Sequence, residues 1–208
     1  MSIILPFILG FLIAAVGIFP PGMLNMTVAK LSINEDKKEA LLFGFGAVLI
    51  VLVQCFIGLY FAKFLDSNPE VSQNLRRFGI VIFIVLTLFF TYNGFKAKKP
   101  KLEVEIKSKS NRFLYGITLS SLNMFAIPYY AFISLALASK DIFDFSISTI
   151  LLFVIGSVLG TYSIFYLYAV LFKKIEHKVG FLINNINFLI AAVTGIVAIT
   201  TLYNMINS

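Results

Sequence analysis

Six long runs of this sequence contain no Asp, Glu, Lys, Arg or His. A helix needs about 20 residues to cross the roughly 30 Å hydrocarbon layer of a bilayer, and each run meets or approaches that length. Hydrophobic residues make up 59% of the chain and charged residues 13%, against about 45–50% and about 25% in soluble domains. The sequence therefore predicts an all-α polytopic membrane protein with six spans. The runs are Met1–Ala29, Ala40–Ala62, Phe78–Phe95, Phe113–Ser139, Phe145–Phe172 and Val179–Ser208.

The longest polar segment, residues 97–112, divides the chain into two stretches that hold three predicted spans each. An odd number of spans per stretch makes the two stretches enter the membrane from opposite sides, which is the plan of an inverted-topology repeat. We therefore expect one transmembrane domain over residues 1–208, built from half-repeats 1–96 and 113–208 around a basic loop. The first and fourth spans, which contain internal prolines, are expected to be interrupted.

The connections between the runs predict the orientation in the membrane. Most of the 17 Lys and Arg residues fall in three alternate connections, 30–39, 97–112 and 173–178. Cytoplasmic loops carry the excess of basic residues, so these loops are predicted to be cytoplasmic and both termini to lie outside a bacterial inner (plasma) membrane. The formal net charge of +7 does not indicate a nucleic-acid partner, because no polar segment is long enough to form a basic folded face.

The first run contains Phe19-Pro20-Pro21-Gly22, which cannot continue an ordinary α-helix because each proline removes a donor and clashes with the preceding turn. In hydrocarbon, freed backbone groups are tolerated only where protein buries them or they line a polar cavity. A helix that resumes after Gly22 presents N–H groups and a positive dipole end, which suit a carboxylate. We therefore expect Pro21 and Gly22 to shape a solute site, with Asn25 and Thr27 just beyond them. The alternative is a proline kink that only serves packing.

The fourth run repeats this pattern more weakly. Ser121 and Asn123 precede Pro128, which is expected to interrupt the helix around residues 124–128. We predict that Ser121, Asn123 and Pro128 contribute to the same solute site. Gln54 is strongly polar and lies near the middle of the second run, and we interpret it as a structural hydrogen-bonding residue.

The lack of ionisable side chains in the six runs argues against several functions. Intramembrane metal sites need carboxylate or His ligands at membrane depth, and membrane enzymes usually need a general acid or base in their cavity. We therefore expect no catalytic residue, no metal and no cofactor. Small residues at Gly156-x-x-x-Gly160 let helices approach closely, and this motif could pack within one chain or build a homodimer.

The chain resembles the LysE/RhtB family of amino-acid exporters over nearly its full length. Pro21-Gly22-Met23 stands where that family has Pro-Gly-Pro, and Asn123-Met124-Phe125-Ala126 stands where it has an Asn-Pro-Lys-Ala-like element. The resemblance implies a transporter of six hydrophobic segments with a basic loop after the third. The sequence departs from the family at Phe125, which replaces the lysine, and in the second span, which carries no acidic residue.

Together these observations favour a permease that exports amino acids or related small metabolites by alternating access, with a small solute and the lipid bilayer as its partners. A neutral solute is favoured because a cationic side chain would lack a counter-ion within the spans. Two alternatives stay open. One is a passive channel lined by the breaks at Pro21 and Pro128, and the other is a membrane scaffold that transports nothing.

Overall fold

The computed structural model describes residues 4–96, 111–184 and 186–206, and every regular element in these ranges is a helix. Apolar sequence over long stretches forms helices in a membrane because a helix satisfies its backbone hydrogen bonds internally. The helices, in chain order, are α1 (Ile4–Ile18), α2 (Met23–Asn34), α3 (Lys37–Asp66), α4 (Pro69–Lys96), α5 (Arg112–Ser121), α6 (Ala126–Ala138), α7 (Ile147–Asn184) and α8 (Ile186–Ile206).

The prediction of an all-helical protein with membrane-spanning helices is confirmed in part, since the described residues form helices only and some of these helices are candidate spans. Among the described residues, Lys37–Asp66 and Ile147–Leu171 are each long and apolar enough to cross a bilayer. The bent pairs α1–α2 and α5–α6 each pass the same test when taken together, which raises the number of candidate spans to four. The predicted third and sixth spans fall on α4 and α8, and their crossing of the membrane stays a prediction.

One of the predicted cytoplasmic loops is wrong as a loop, and a second is shorter than predicted. Residues 173–178 lie inside α7, which continues past the apolar part of its sequence because this basic stretch contains neither Gly nor Pro to end it. The connection 30–39 shrinks to Glu35 and Asp36, since α2 and α3 extend into it from both sides. Most of the third connection, residues 97–110, lies outside the described residues, and Arg112 already begins α5.

The contacts divide the chain into two units. The first unit, Met1–Phe64 with Leu102–Glu176, contains α1, α2, α5, α6 and most of α3 and α7. The second unit, Leu65–Lys101 with His177–Ser208, contains α4 and α8. Each unit therefore draws on both predicted half-repeats.

Four Phe-x-x-Gly segments join the helices of the first unit. A Cβ added to Gly10 of α1 would lie 2.1 Å from the carbonyl oxygen of Phe153, and one added to Gly156 of α7 would lie 2.1 Å from that of Phe7. Here α1 and α7 approach so closely that only glycine fits at the contact.

The same reciprocal arrangement joins α3 and α5. A Cβ on Gly46 would lie 2.1 Å from the Phe113 carbonyl oxygen, and one on Gly116 would lie 2.0 Å from the Phe43 carbonyl oxygen. In each of the four helices the phenylalanine precedes the glycine by the same step. The α1 segment and the α5 segment are thus matched, as are the α3 segment and the α7 segment.

The second unit is a helix pair. The Thr87 hydroxyl of α4 donates to Thr194 Oγ1 of α8 at 2.9 Å. The rings of Phe95 and Phe188 meet edge to face at 5.3 Å between centroids. Gly195 faces Thr87 at an ordinary packing distance, because an added Cβ would lie in van der Waals contact, 3.5 Å from the nearest atom.

Candidate functional site

The first span breaks where the prolines predicted it. Helix α1 ends at Ile18, helix α2 begins at Met23, and the two axes differ by 78°. Gly22 is the N-cap of α2, with an extended backbone and no side-chain cap. The prediction of an interrupted first span is confirmed.

Side chains from the same unit bind the carbonyl groups that this break leaves open. The Asn25 amide donates through Nδ2 to the Ile18 carbonyl oxygen and to that of Pro20, the latter at 3.0 Å. The Tyr168 hydroxyl of α7 donates to the Phe19 carbonyl oxygen at 2.8 Å and also contacts the Asn25 side chain. The break is thereby satisfied by protein, as hydrocarbon surroundings require.

The fourth span also breaks, slightly before the predicted position. Helix α5 ends at Ser121, helix α6 begins at Ala126, and their axes differ by 62°. Pro128 is the third residue of α6, within the first helical turn, where the missing N–H has no intrahelical partner to lose. Pro128 therefore lies just inside the new helix and the interruption precedes it, at residues 122–125.

Gln54 of α3 forms hydrogen bonds to the backbone at the second break. Its Nε2 donates to the Ser120 carbonyl oxygen at 3.1 Å and to the Asn123 carbonyl oxygen at 3.0 Å. Its side chain is 5% exposed. Gln54 thus does for α5 what Asn25 does for α1, although the two amides come from different positions in the sequence. A structural role fits these bonds.

A cavity of about 210 Å³ lies within the first unit, between the carboxyl end of α1 and the amino end of α6. None of its lining side chains is charged. Thr161 is almost fully buried and lies beside the Tyr130 hydroxyl. The Tyr129 hydroxyl donates to the Ile13 carbonyl oxygen at 2.8 Å, and its ring lies against Gly17. The lining residues are Ala14, Gly17, Ile18, Val51, Asn123, Phe125, Ala126, Tyr129, Tyr130 and Thr161.

The predicted site residues cluster at the two breaks, and one of them, Asn123, lines the cavity. At the first break, Pro21 is buried and Thr27 donates to the Met23 carbonyl oxygen at 2.7 Å. At the second, Ser121 is exposed and donates to the Ile117 carbonyl oxygen at 2.8 Å. Contact of a solute with the seven residues stays a prediction. They are Pro21, Gly22, Asn25, Thr27, Ser121, Asn123 and Pro128.

Sequence reasoning missed Thr161 as a cavity residue. The matched Phe-x-x-Gly segments contain a signal that could have found it. Gly46 and Gly156 are separated by the same number of sequence positions as Val51 and Thr161. Val51 and Thr161 both line the cavity.

An ion pair ties the far ends of the two broken spans together. Arg112, the first residue of α5, donates through Nε to Glu35 Oε2 at 2.9 Å and through Nη2 to Glu35 Oε1. Glu35 directly follows α2. The Arg112 side chain is 6% exposed and that of Glu35 29%, so this is a largely desolvated, bidentate pair.

Comparison with known families supports the resemblance seen in the two proline-containing spans. The family model for LysE type translocators matches residues 15–205, a range that includes both breaks and every cavity-lining residue except Ala14. No significant match was found among curated proteins or among solved structures. The chain therefore belongs to the LysE type translocator family and is an integral membrane transport protein.

Proposed function

We propose that this protein is a permease that exports amino acids or related small solutes by alternating access, and that the solute binds in the cavity between α1 and α6. The single observation that carries this proposal is the position of the cavity. It lies where one broken span ends and the other resumes, and Asn123 lies in its wall. Broken helices that meet near mid-membrane are a recurring way to build solute sites in transporters.

The matched glycine contacts support an inverted repeat, on which alternating access depends. The pairing of α1 with α7 repeats in the pairing of α5 with α3. Gly10 and Gly116 are separated by the same number of sequence positions as Gly17 and Asn123. Gly17 and Asn123 both line the cavity. Equivalent positions from the two halves therefore face one space, as expected for a site near a two-fold axis.

The size and charge of the cavity favour a small neutral solute. Its volume of about 210 Å³ lies below the roughly 300–1,000 Å³ that is typical of pockets for drug-sized ligands. An amino acid offers a carboxylate for the positive amino end of α6 or α2 and an ammonium for the negative carboxyl end of α1. A lysine side chain would add a second cation with no acidic residue in any of the six apolar runs to neutralise it.

The proposed orientation places the connections 30–39 and 97–112 in the cytoplasm and both termini outside. The Glu35–Arg112 pair supports one part of it, since a direct contact between these two residues is expected if both connections lie on one side of the membrane. The basic stretch 173–178 keeps its proposed cytoplasmic position as an extension of α7.

Transport by the purified protein in liposomes tests the proposal. Labelled alanine, valine and lysine are compared as substrates for the wild type, Asn123→Ala and Thr118→Val. Thr118 is a matched control because it is exposed on α5 and bonds its hydroxyl to the Leu114 carbonyl oxygen of its own helix. We expect saturable transport of a neutral amino acid, reduced about tenfold or more in Asn123→Ala, a cost of at least about 1.4 kcal/mol, and unchanged in Thr118→Val. Saturable transport of lysine alone would overturn the neutral-solute proposal.

A further inference from the structure

Three buried side-chain oxygen atoms lack a hydrogen-bond partner among the residues that the structure describes, and all three lie at the span breaks. They are Asn25 Oδ1, Gln54 Oε1 and Ser120 Oγ. Asn25 lies beside the Tyr168 hydroxyl. Gln54 and Ser120 contact each other at the carboxyl end of α5. Leaving a buried polar group unpaired costs about 1–3 kcal/mol, so two such atoms on adjoining residues indicate a ligand.

The orientation of the Gln54 amide is fixed by its bonds. Only the NH₂ group can donate to the carbonyl oxygens of Ser120 and Asn123. Exchanging the two amide atoms would set Oε1 against both carbonyl oxygens. Oε1 is therefore the free atom, and it can only accept a hydrogen bond or bind a cation.

The free hydroxyl of Ser120 differs from the other hydroxyls near it. Thr118 and Ser121 on α5 donate to the carbonyl oxygens of Leu114 and Ile117, four residues earlier, and Ser134 on α6 donates to that of Tyr130. Ser120 is fully buried and makes no such bond. The Ser120 hydroxyl is thus available to bind a ligand, whereas the neighbouring hydroxyl groups are hydrogen-bonded within their own helices.

We propose that Gln54 Oε1 and Ser120 Oγ form a subsite for one small monovalent cationic group, either a free Na⁺ or the ammonium of the transported solute. The carboxyl end of α5 adds a partial negative charge of about half an electron. A monovalent cation fits these donors better than a divalent one, because Ca²⁺ and Mg²⁺ sites in proteins rely on carboxylate ligands and the apolar runs contain none. The subsite adjoins the solute cavity through Asn123, whose carbonyl oxygen binds Gln54 and which also lines the cavity.

The two cations would give Gln54 and Ser120 different roles, and these roles can be distinguished by experiment. A bound ammonium makes Gln54 and Ser120 specificity residues of the solute site, which rests on the proposed transport function. A bound Na⁺ makes them a coupling-ion site, and this arm can be tested with no solute present. In both cases the bound group satisfies the two oxygens that the protein leaves unpaired.

Thermal unfolding of the purified wild type, Ser120→Ala and Thr118→Val in detergent tests the proposal. Ser120→Ala should fold, because the deleted hydroxyl has no hydrogen bond to lose. The first arm titrates NaCl against choline chloride at constant ionic strength. The second arm, in choline chloride, compares alanine and valine with propionate and isovalerate, which lack the ammonium.

A Na⁺ site predicts a rise of Tm with NaCl alone, with the midpoint concentration raised about tenfold or more in Ser120→Ala and unchanged in Thr118→Val. An ammonium site predicts that the amino acids raise Tm, that the deaminated acids do not, and that Ser120→Ala loses this response. If all three proteins respond alike in both arms, the oxygens hold bound water only and the subsite is overturned. If the wild type transports no amino acid in liposomes but its Tm still rises with NaCl, the proposed function is overturned and the subsite is supported.

Discussion

Arg112 binds Glu35 through two charge-assisted hydrogen bonds across 77 positions of sequence. The pair joins the start of α5 to the end of α2, which are halves of the two different broken spans. Helix α2 has 12 residues and α5 has 10, so at about 1.5 Å per residue the pair lies about 15–18 Å along these helices from the breaks. That distance is about half the thickness of the hydrocarbon layer. The ion pair therefore joins the two broken helix pairs at their ends farthest from the breaks.

The ion pair should contribute strongly to stability as a unit. Removing Glu35 leaves the buried Arg112 guanidinium without its partner, which typically costs about 3–5 kcal/mol. A double-mutant cycle of Glu35→Ala and Arg112→Ala, followed by thermal unfolding in detergent, should give a coupling energy of about 1–3 kcal/mol. Additive effects of the two substitutions would show that the pair does not hold the helices together.

The four reciprocal glycine contacts should tolerate no side chain. A Cβ at Gly10 or Gly116 would lie within 2.1 Å of a backbone carbonyl oxygen on the facing helix, and overpacking of this kind costs roughly 1–3 kcal/mol. We expect Gly10→Ala and Gly116→Ala to lower Tm by similar amounts, since an added Cβ would lie 2.1 Å and 2.0 Å, respectively, from a facing carbonyl oxygen. Gly195→Ala is the matched control, because the nearest atom to its added Cβ would be 3.5 Å away. A control as destabilised as the other two variants would contradict the close packing.

The amide side chains at the two breaks should be needed for folding. Gln54→Leu and Asn25→Leu each remove the side-chain donor from two carbonyl oxygens. The Ser120 carbonyl oxygen keeps a bond from the Asn123 N–H, and each buried carbonyl group that is left unpaired costs about 1–3 kcal/mol. Both variants should show lower Tm and lower yield from membranes. Ser163→Ala serves as the control, because that hydroxyl bonds only the Leu159 carbonyl oxygen of its own helix turn. Wild-type stability of Gln54→Leu would exclude a structural role for its amide.

Asp144 should stabilise the start of α7 in a pH-dependent way. Hydrogen bonds from the Ser146 hydroxyl and from the Ser146 N–H, the latter at 2.9 Å, lower the pKa of this exposed carboxyl group. A lowered pKa in the folded state gives stability that is present above the ordinary pKa and is lost as the pH falls through the lowered value. Asp144→Ala should therefore have a slightly lower Tm than the wild type at pH 7, and the difference should vanish at acidic pH. An equal difference at both pH values would contradict this assignment.

The sequence predicted the elements whose causes are local. The consecutive residues Pro20, Pro21 and Gly22 are a local signal for the end of a helix, and the first break lies there. The second break was expected too late, because Pro128 is tolerated within the first turn of α6. The continuation of α7 through residues 173–178 was missed, since basic composition alone does not distinguish a loop from a solvated helix.

The contacts at the breaks depend on residues distant in sequence, and no local pattern indicates them. Gln54 binds carbonyl oxygens 66 and 69 positions away, and Thr161 reaches the cavity from a helix that has no break of its own there. What the sequence did contain were the Phe-x-x-Gly segments that begin at Phe7, Phe43, Phe113 and Phe153, with 106 positions from the first to the third and 110 from the second to the fourth. The structural role of these segments becomes clear only from the structure, in which each glycine faces the carbonyl oxygen of a phenylalanine on the neighbouring helix.

Counterflow in proteoliposomes tests the central claim, that the protein carries a small neutral solute through the cavity at the second break. Liposomes loaded with unlabelled alanine or valine are diluted into a trace of the same labelled amino acid. A carrier predicts transient accumulation of label above its equilibrium level, strongly reduced in Asn123→Ala and retained in Thr118→Val. Entry of label only to equilibrium, with no overshoot and no effect of Asn123→Ala, would indicate a passive channel and contradict the account.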